Sequence, residues 1–166
     1  MSIDFTNAEC QDYSNKKLFG LCDDKPEKRA YLDEDDGEKW IAVVVNDDKF
    51  EVTFTAIDHC IEIKREDGKM AKRCDGFLFY DSTIVFVELK ERDALRNAWV
   101  LDGEKQLRSS ISYFIATEYS GQFTQRKAYI SNSEHPKFKE SQTRRMEQFL
   151  DETGFVLRVE NRIILR

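Results

Sequence analysis

The hydrophobic and polar positions of residues 73–90, RCDGFLFYDSTIVFVELK, alternate with the period of two that is typical of β-strands. A short polar break at Asp81-Ser82 separates two runs of aromatic and β-branched residues, which predicts a hairpin with a two-residue loop. This loop places Asp75 directly opposite Glu88. Because the two faces of the hairpin are otherwise apolar, we expect both strands to lie in the interior of a sheet.

One face of this hairpin carries Asp75, Glu88 and Lys90 among aromatic side chains, and the other face is aliphatic. Opposed residues have Cβ atoms about 5 Å apart, so two carboxylates in this position repel each other. A divalent cation offsets such repulsion, since Mg²⁺ binds through one or two carboxylates together with waters and phosphate oxygens. Lys90 adds a cation that can stabilise charge on a phosphate under attack. The pattern therefore indicates phosphodiester hydrolysis.

Asp75, then Glu88-Leu89-Lys90 and a helix that opens with Glu104-Lys105-Gln106-Leu107, resembles the motif of the PD-(D/E)XK nuclease superfamily. That superfamily includes restriction endonucleases, Holliday-junction resolvases and RecB-like exonucleases, and the resemblance covers residues 74–119. It implies metal-binding acids at Asp75 and Glu88, a catalytic lysine at Lys90 and an active-site glutamine at Gln106. The motif's proline is absent, because Cys74 precedes Asp75.

The resemblance also implies a fold and a function. We expect an α/β fold, with a restriction-endonuclease-like mixed β-sheet and an αβββαβ core flanked by helices, as a single domain over residues 1–166. The expected activity is Mg²⁺- or Mn²⁺-dependent hydrolysis of nucleic acid, DNA rather than RNA. A catalytically silent module that binds nucleic acid or a protein partner is the alternative, and hydrolysis of another phosphate ester also fits the motif.

The N-terminal half gives weaker patterns. Residues 6–19 predict a helix, on which Glu9 is a candidate further acid, and residues 23–38 predict a solvated loop. Residues 40–55 predict a β-hairpin with one polar face. Glu62 alternates with isoleucines, so it is either an outward-facing charge or another acid of the site.

The C-terminal half alternates between helical and extended patterns. An apolar stripe predicts a helix over 102–119, and residues 126–131 predict a strand parallel to its neighbour. A second helix is predicted over 141–153, and residues 155–165 predict a last strand or hairpin. Trp99, in the irregular segment before the first helix, either packs in the core or stacks on a base.

The net charge of −6 argues against a general nucleic-acid coat protein, whose affinity comes from basic residues. The charge is unevenly distributed, however. Residues 1–88 hold 12 Lys and Arg against 21 Asp and Glu, whereas residues 89–166 hold 14 against 11. Arg144 and Arg145 lie in this basic half, so they are our candidates for phosphate contacts, with a solvated helix face as the alternative reading.

The four cysteines contain no C-x-x-C pair, so we expect reduced, mostly buried thiols rather than a zinc site with His59. The sequence has no apolar run of about 18 residues that would span a membrane and no signal-peptide pattern at residues 1–13. We therefore expect a cytoplasmic protein whose partner is nucleic acid. A homodimer is possible, because cutting both strands of a duplex symmetrically would require one.

Overall fold

The computed structural model describes residues 3–91, 98–134 and 142–166, which form two mixed β-sheets and two α-helices. In chain order the strands are β1 (Gln11–Ser14), β2 (Leu18–Cys22), β3 (Tyr31–Asp33), β4 (Ala42–Val45), β5 (Val52–Ala56), β6 (Gly76–Tyr80), β7 (Thr83–Lys90), β8 (Gln125–Asn132), β9 (Val156–Val159) and β10 (Arg162–Ile164). The helices are α1 (Ala98–Ile115), between β7 and β8, and α2 (Thr143–Thr153), between β8 and β9.

The larger sheet has six strands in the order β1-β5-β6-β7-β8-β9. Its first four strands pair antiparallel, and β8 and β9 then add parallel to β7. Each parallel step follows a helix, because a parallel connection needs a crossover. The smaller sheet has four strands in the order β10-β4-β2-β3, with β10 parallel to β4.

The predicted central hairpin is confirmed with its register. Phe77 pairs with Phe86 and Gly76 with Val87, so the next step along the ladder sets Asp75 opposite Glu88. The turn falls at Asp81, whose φ is 49°. Positive φ matches the primed turns that favour two-residue hairpin loops.

Two apolar cores cover the two faces of the six-stranded sheet. On one face, Phe77, Ile84 and Phe86 pack against the helices. On the other face, Leu78, Val85, Val87 and Leu89 pack against the smaller sheet. This division confirms the predicted alternation along the hairpin, and it explains why neither strand has a polar face.

The predicted helix over residues 6–19 is wrong. These residues form a short 3-10 helix at Ala8–Cys10, then β1, and then the start of β2. Phe5 packs in the helix-side core, whereas Phe19 packs between the sheets. Cross-strand pairing with β5 and β4 therefore overrides the weak helical pattern. The leading helix of the expected αβββαβ order is absent from residues 3–19, while β5, β6, β7, α1 and β8 follow as expected.

The predicted hairpin over residues 40–55 is also wrong. Both strands exist, but β4 lies in the smaller sheet and β5 in the larger one. Thr53 and Thr55, expected on a polar face, are buried, because β5 lies between β1 and β6 with other residues covering both faces. The predicted loop over 23–38 likewise contains strand β3.

The structure contains the helices and strands predicted for the C-terminal half, but some of their boundaries and strand pairings differ from the prediction. Helix α1 begins at Ala98, four residues before the predicted start and within the segment expected to be irregular, and it ends at Ile115, before a short 3-10 helix at Glu118–Gln122. Strand β8 is parallel to β7 as expected, and α2 ends at Gly154, whose φ of 79° is left-handed. The last two strands do not form a hairpin, because β9 joins the larger sheet and β10 the smaller one.

The expectation of four reduced cysteines is wrong for two of them. Cys10 and Cys60 form a disulfide across 50 residues of sequence, which joins the turn before β1 to the loop after β5. Cys22 and Cys74 are free and buried. Spacing alone could not reveal this pair, since the two cysteines meet only through the pairing of β1 with β5. Among the described residues, no helix is both long and apolar enough to cross a membrane.

Replacing Phe86 by Ala should lower the free energy of unfolding by about 3–5 kcal/mol. Its ring is fully buried, and its centroid lies 5.2 Å from that of Phe77, 5.1 Å from Phe114 and 5.6 Å from Phe155. Urea denaturation measures the loss. The control Tyr13→Ala removes a ring that is 65% exposed, and it should cost less than about 1 kcal/mol. Equal losses in the two variants would contradict the described core.

Candidate active site

The carboxylates of Asp75 and Glu88 each accept a backbone N–H from the opposite side of the hairpin. The Asp75 backbone N–H donates to Glu88 Oε1 at 3.1 Å, and the Leu89 N–H donates to Asp75 Oδ2 at 2.7 Å. Asp75 is 7% exposed and Glu88 3% exposed. The hairpin therefore holds two buried carboxyl groups against each other in a fixed orientation.

Lys90 links this carboxyl pair to helix α1. Its Nζ lies 3.0 Å from Glu88 Oε2 and donates to Gln106 Oε1, also at 3.0 Å. Four residues predicted from the sequence thus form one connected cluster: Asp75, Glu88, Lys90 and Gln106. Because Gln106 is neutral, it orients the ammonium group without competing for its charge.

Burial raises the pKa of both carboxyl groups. For Glu88 the pKa lies well above its usual range, because the side chain is desolvated and because the Asp75 charge opposes a second charge beside it; the Lys90 ammonium partly offsets both effects. Desolvation likewise raises the pKa of Asp75, although hydrogen bonds from Glu88 and Leu89 work in the other direction. Such a pair favours either a bound proton or a bound cation between its carboxyl groups.

Close packing of helix α1 on the hairpin depends on Gly103. A Cβ at this position would lie 3.1 Å from Ile130 Cγ2 and 3.4 Å from Glu88 Cγ, so no larger residue fits without a shift. The helix is also tied to the chain just before β6, because Ser110 Oγ accepts the Cys74 N–H at 2.8 Å. These two contacts fix the position of α1 on the sheet, and in that position Gln106 reaches Lys90.

An open pocket of about 500 Å³ lies over Lys90 and Gln106. Its rim carries both signs of charge, from Asp58, Lys72 and Arg73 among others. Arg73 is fixed by an ion pair to Asp58 Oδ1 at 3.2 Å and by a hydrogen bond to the Ile61 carbonyl at 2.9 Å. The charged side of the cluster therefore faces a space large enough for a phosphate group and several waters.

The donor set of the cluster suits a hard divalent cation. Asp75 and Glu88 offer carboxylate oxygens, which Mg²⁺ and Mn²⁺ prefer as ligands. A bound cation would also neutralise the repulsion between the two carboxylates. Within residues 3–91, 98–134 and 142–166, no three His, Cys, Asp or Glu side chains converge closely enough to hold a metal by themselves. Water would therefore have to complete the coordination, as is usual for Mg²⁺.

Asp23 is a buried acid near this cluster that the sequence analysis assigned to a solvated loop. It is 6% exposed, and its Oδ1 has no hydrogen-bond partner among the described residues. Burial and the negative charge of Asp75 raise its pKa to about 6, while Lys25, at 3.8 Å from Oδ2, lowers it. Asp23 directly follows the apolar strand β2, LFGLC, but the polar residues after it predict a solvated loop, so the pattern does not indicate its burial.

The other candidate residues lie outside the connected cluster. Glu9 and Glu62 are exposed, and Glu62 pairs with Lys64 at 3.0 Å, as expected of an outward-facing charge. Trp99 is 5% exposed and packs in the helix-side core, so the packing reading is confirmed over base stacking.

The two candidate phosphate-binding arginines differ in their surroundings. Arg144 is exposed on α2, whereas Arg145 is half-buried and pairs with Glu104 Oε1 of α1 at 3.0 Å. Arg108 contacts the other oxygen of Glu104, also at 3.0 Å. Arg145 thus helps hold α2 against α1, which leaves Arg144 as the more accessible of the two for a phosphate.

Comparison of the chain with protein-family models, with curated proteins and with solved structures gave no match. The geometry of the cluster is therefore the basis for assigning a function.

The stability of Asp23→Asn relative to wild type should depend on pH. Because the folded state raises the pKa of Asp23 to about 6, it binds this proton more tightly than the unfolded chain does. Wild type should therefore lose about 2–3 kcal/mol relative to the variant as the pH rises from about 4 to about 6, with little change above that. Urea denaturation across this range measures the difference.

The control Asp47→Asn removes an exposed carboxylate from a turn, and its stability should run parallel to that of wild type. If the difference between wild type and Asp23→Asn stayed constant over the same pH range, Asp23 would not be the desolvated acid described here.

Proposed function

We propose that this protein is a metal-dependent nuclease that hydrolyses phosphodiester bonds of nucleic acid, DNA in preference to RNA. The observation that carries the proposal is the buried, opposed pair of Asp75 and Glu88, with the Lys90 ammonium 3.0 Å from Glu88. A purely structural role for this pair is costly, because two buried carboxyl groups side by side destabilise a fold unless a proton or cation lies between them.

The chemistry of the proposal follows from the positions of the side chains. Asp75 and Glu88 would hold a divalent ion, which supplies positive charge to a phosphate and lowers the pKa of bound water. Lys90 reaches the pocket from the same strand as Glu88, so its ammonium stabilises negative charge that develops on the phosphate. Gln106 holds that ammonium in place through the hydrogen bond at 3.0 Å.

The preference for nucleic acid over other phosphate esters rests on the resemblance of Asp75 and Glu88-Leu89-Lys90 to the PD-(D/E)XK motif. The open, charged pocket supports an extended substrate, because it is not enclosed around a small molecule. The same resemblance leads us to propose a restriction-endonuclease-like core. The order β5, β6, β7, α1, β8 supports it, because it has the strands and crossover helix of the βββαβ part of the αβββαβ core.

A silent binding module remains the second candidate. The near-complete burial of Asp75 and Glu88 favours it, because a pair that is protonated rather than metal-bound would serve the fold without catalysis. The two candidates make different predictions for metal binding and for the loss of Lys90.

Mg²⁺ or Mn²⁺ should bind wild type and raise its melting temperature. At a hundredfold excess over the dissociation constant, the stabilisation should be about 2.7 kcal/mol. Glu88→Gln should lose both the calorimetric heat and the melting shift, because an amide is a poor ligand beside the remaining Asp75. Isothermal calorimetry and thermal melting, with and without chelator, measure both quantities.

The control for this experiment is Glu62→Gln, which removes an exposed carboxylate and should bind the metal as wild type does. Equal heats and melting shifts for wild type and Glu88→Gln would make the metal assignment wrong, and the proton-bound pair of the silent module would then be the better account.

Lys90→Met should lower the turnover number about 10²- to 10³-fold, the scale of removing one preorganised electrostatic group. Methionine keeps an apolar stem of similar length, so the sheet should fold as before. The KM should change far less, since a group that acts mainly in the transition state contributes little to ground-state binding. Cleavage of single-stranded, duplex and branched DNA, and of RNA, measures these constants in Mg²⁺ or Mn²⁺.

Lys105→Met is the matched control, because Lys105 is an exposed lysine next to Gln106 on α1. A folded Lys90→Met protein that cleaves every substrate as fast as wild type would contradict the mechanism. If wild type and both variants bind nucleic acid but cleave none, the silent module is the correct reading.

A further inference from the structure

Strands β8 and β9 place a second group of charged side chains on the face of the sheet opposite the carboxyl pair. Tyr129 pairs with Arg158 and Lys127 with Val156, so these four side chains share one face. Along its other edge, strand β8 pairs with β7, and Tyr129 lies beside Val87. Val87 faces the smaller sheet, whereas Glu88 points to the helix side, so this group is separated from the carboxyl pair by the sheet itself.

The smaller sheet leaves part of this face uncovered. A cleft of about 440 Å³ remains between the β8–β9 pair and the chain around β10. Lys127, Arg158 and Arg166 line it together with Tyr129, and Glu160 is the one acid among its lining residues. Two aliphatic side chains at its sides are partly exposed, Val156 at 37% and Ile164 at 39%.

The three cations of this cleft form no close ion pair with an acid among the described residues. None of Lys127, Arg158 and Arg166 takes part in the ion pairs found in residues 3–91, 98–134 and 142–166. Burial lowers the pKa of Lys127, and the positive charges of Arg166 and Arg158 lower it further. Like charges gathered in a partly desolvated cleft repel each other, and a bound anion relieves that repulsion.

We propose that the cleft between β8–β9 and β10 binds backbone phosphates of a nucleic acid, with Lys127 and Arg158 as the principal contacts. The inference rests on nucleic acid being the ligand of the proposed function, and it adds a contact region on the reverse face of the sheet. Several cations in an open cleft suit a chain of phosphates better than one small anion. The exposed aliphatic side chains of Val156 and Ile164 provide surface for the sugars between those phosphates.

The test compares two double variants that remove the same charge. Lys127→Gln with Arg158→Gln changes the cleft, and Lys17→Gln with Lys49→Gln changes two exposed lysines beside Asn46 that do not line it. Binding of labelled single-stranded and duplex oligonucleotides is measured by fluorescence anisotropy over a range of salt concentrations. Chelator is present throughout, so that no cleavage occurs and the result does not depend on the metal site.

The cleft variant should bind oligonucleotides roughly tenfold more weakly, and its salt dependence should fall by about 0.9 for each phosphate contact that is lost. The control variant should keep a slope closer to that of wild type. Equal affinities and slopes for the two variants would overturn the inference while leaving the proposed nuclease function intact. Conversely, loss of binding in the cleft variant with no cleavage by wild type would support the cleft and contradict the nuclease.

A second measurement separates a phosphate chain from a small anion. Inorganic pyrophosphate should raise the melting temperature of wild type and of the control variant more than that of the cleft variant. Without any anion, the cleft variant should melt at or above wild type, because the repulsion among its cations is reduced. If pyrophosphate stabilises only through the cleft but oligonucleotide affinity is unchanged there, the cleft is a small-anion site and the nucleic-acid assignment is wrong.

Discussion

The repulsion between the carboxyl groups of Asp75 and Glu88 is the constraint around which the larger sheet is arranged. Each group accepts a backbone N–H from the opposite strand, so the hairpin fixes their orientation. Their burial removes the water that would otherwise screen the two charges, and the pKa of Glu88 rises accordingly. Lys90 relieves part of this repulsion from the open side, where the pocket begins. The two carboxyl groups are therefore held in positions where their charges repel each other, and a bound cation would remove that repulsion.

The packing of the two cores keeps this repulsion from distorting the hairpin. Aromatic side chains of β6 and β7 pack against α1, while the aliphatic side chains of the same strands pack against the smaller sheet. Close-packed interiors resist displacement, so the opposed carboxyl groups cannot move apart to relieve their repulsion. Gly103 lets α1 approach the sheet beside Glu88, and the same approach brings Gln106 to Lys90. At the end of β7, the positions of the charged side chains therefore depend on how closely α1 packs against the sheet.

The features that could be predicted from the sequence are those with a strong local signal. The register of the hairpin followed from alternation and a two-residue turn, and the predicted end of the second helix at residue 153 is the end of α2. Long-range pairing could not be predicted in this way. Nothing in the alternation of residues 40–55 says that its two strands enter different sheets, and the Cys10–Cys60 disulfide depends on that arrangement. Asp23 was missed for a related reason, since its burial comes from tertiary packing rather than from its polar neighbours.

The distribution of charge across the larger sheet gives a physical basis for the proposed binding of a polyanion by an acidic protein. The acids nearest the proposed chemistry are buried and Lys90 lies 3.0 Å from Glu88, so bound protons, this ammonium or the proposed divalent ion would reduce their charge. The cations at the β8–β9 edge form no close ion pair with an acid among the described residues, and they reach the open cleft on the other face. Net charge averages over these two regions and therefore describes neither of them. Association depends on the local field that an approaching phosphate meets, and among the described residues that line this cleft three cations outnumber one acid.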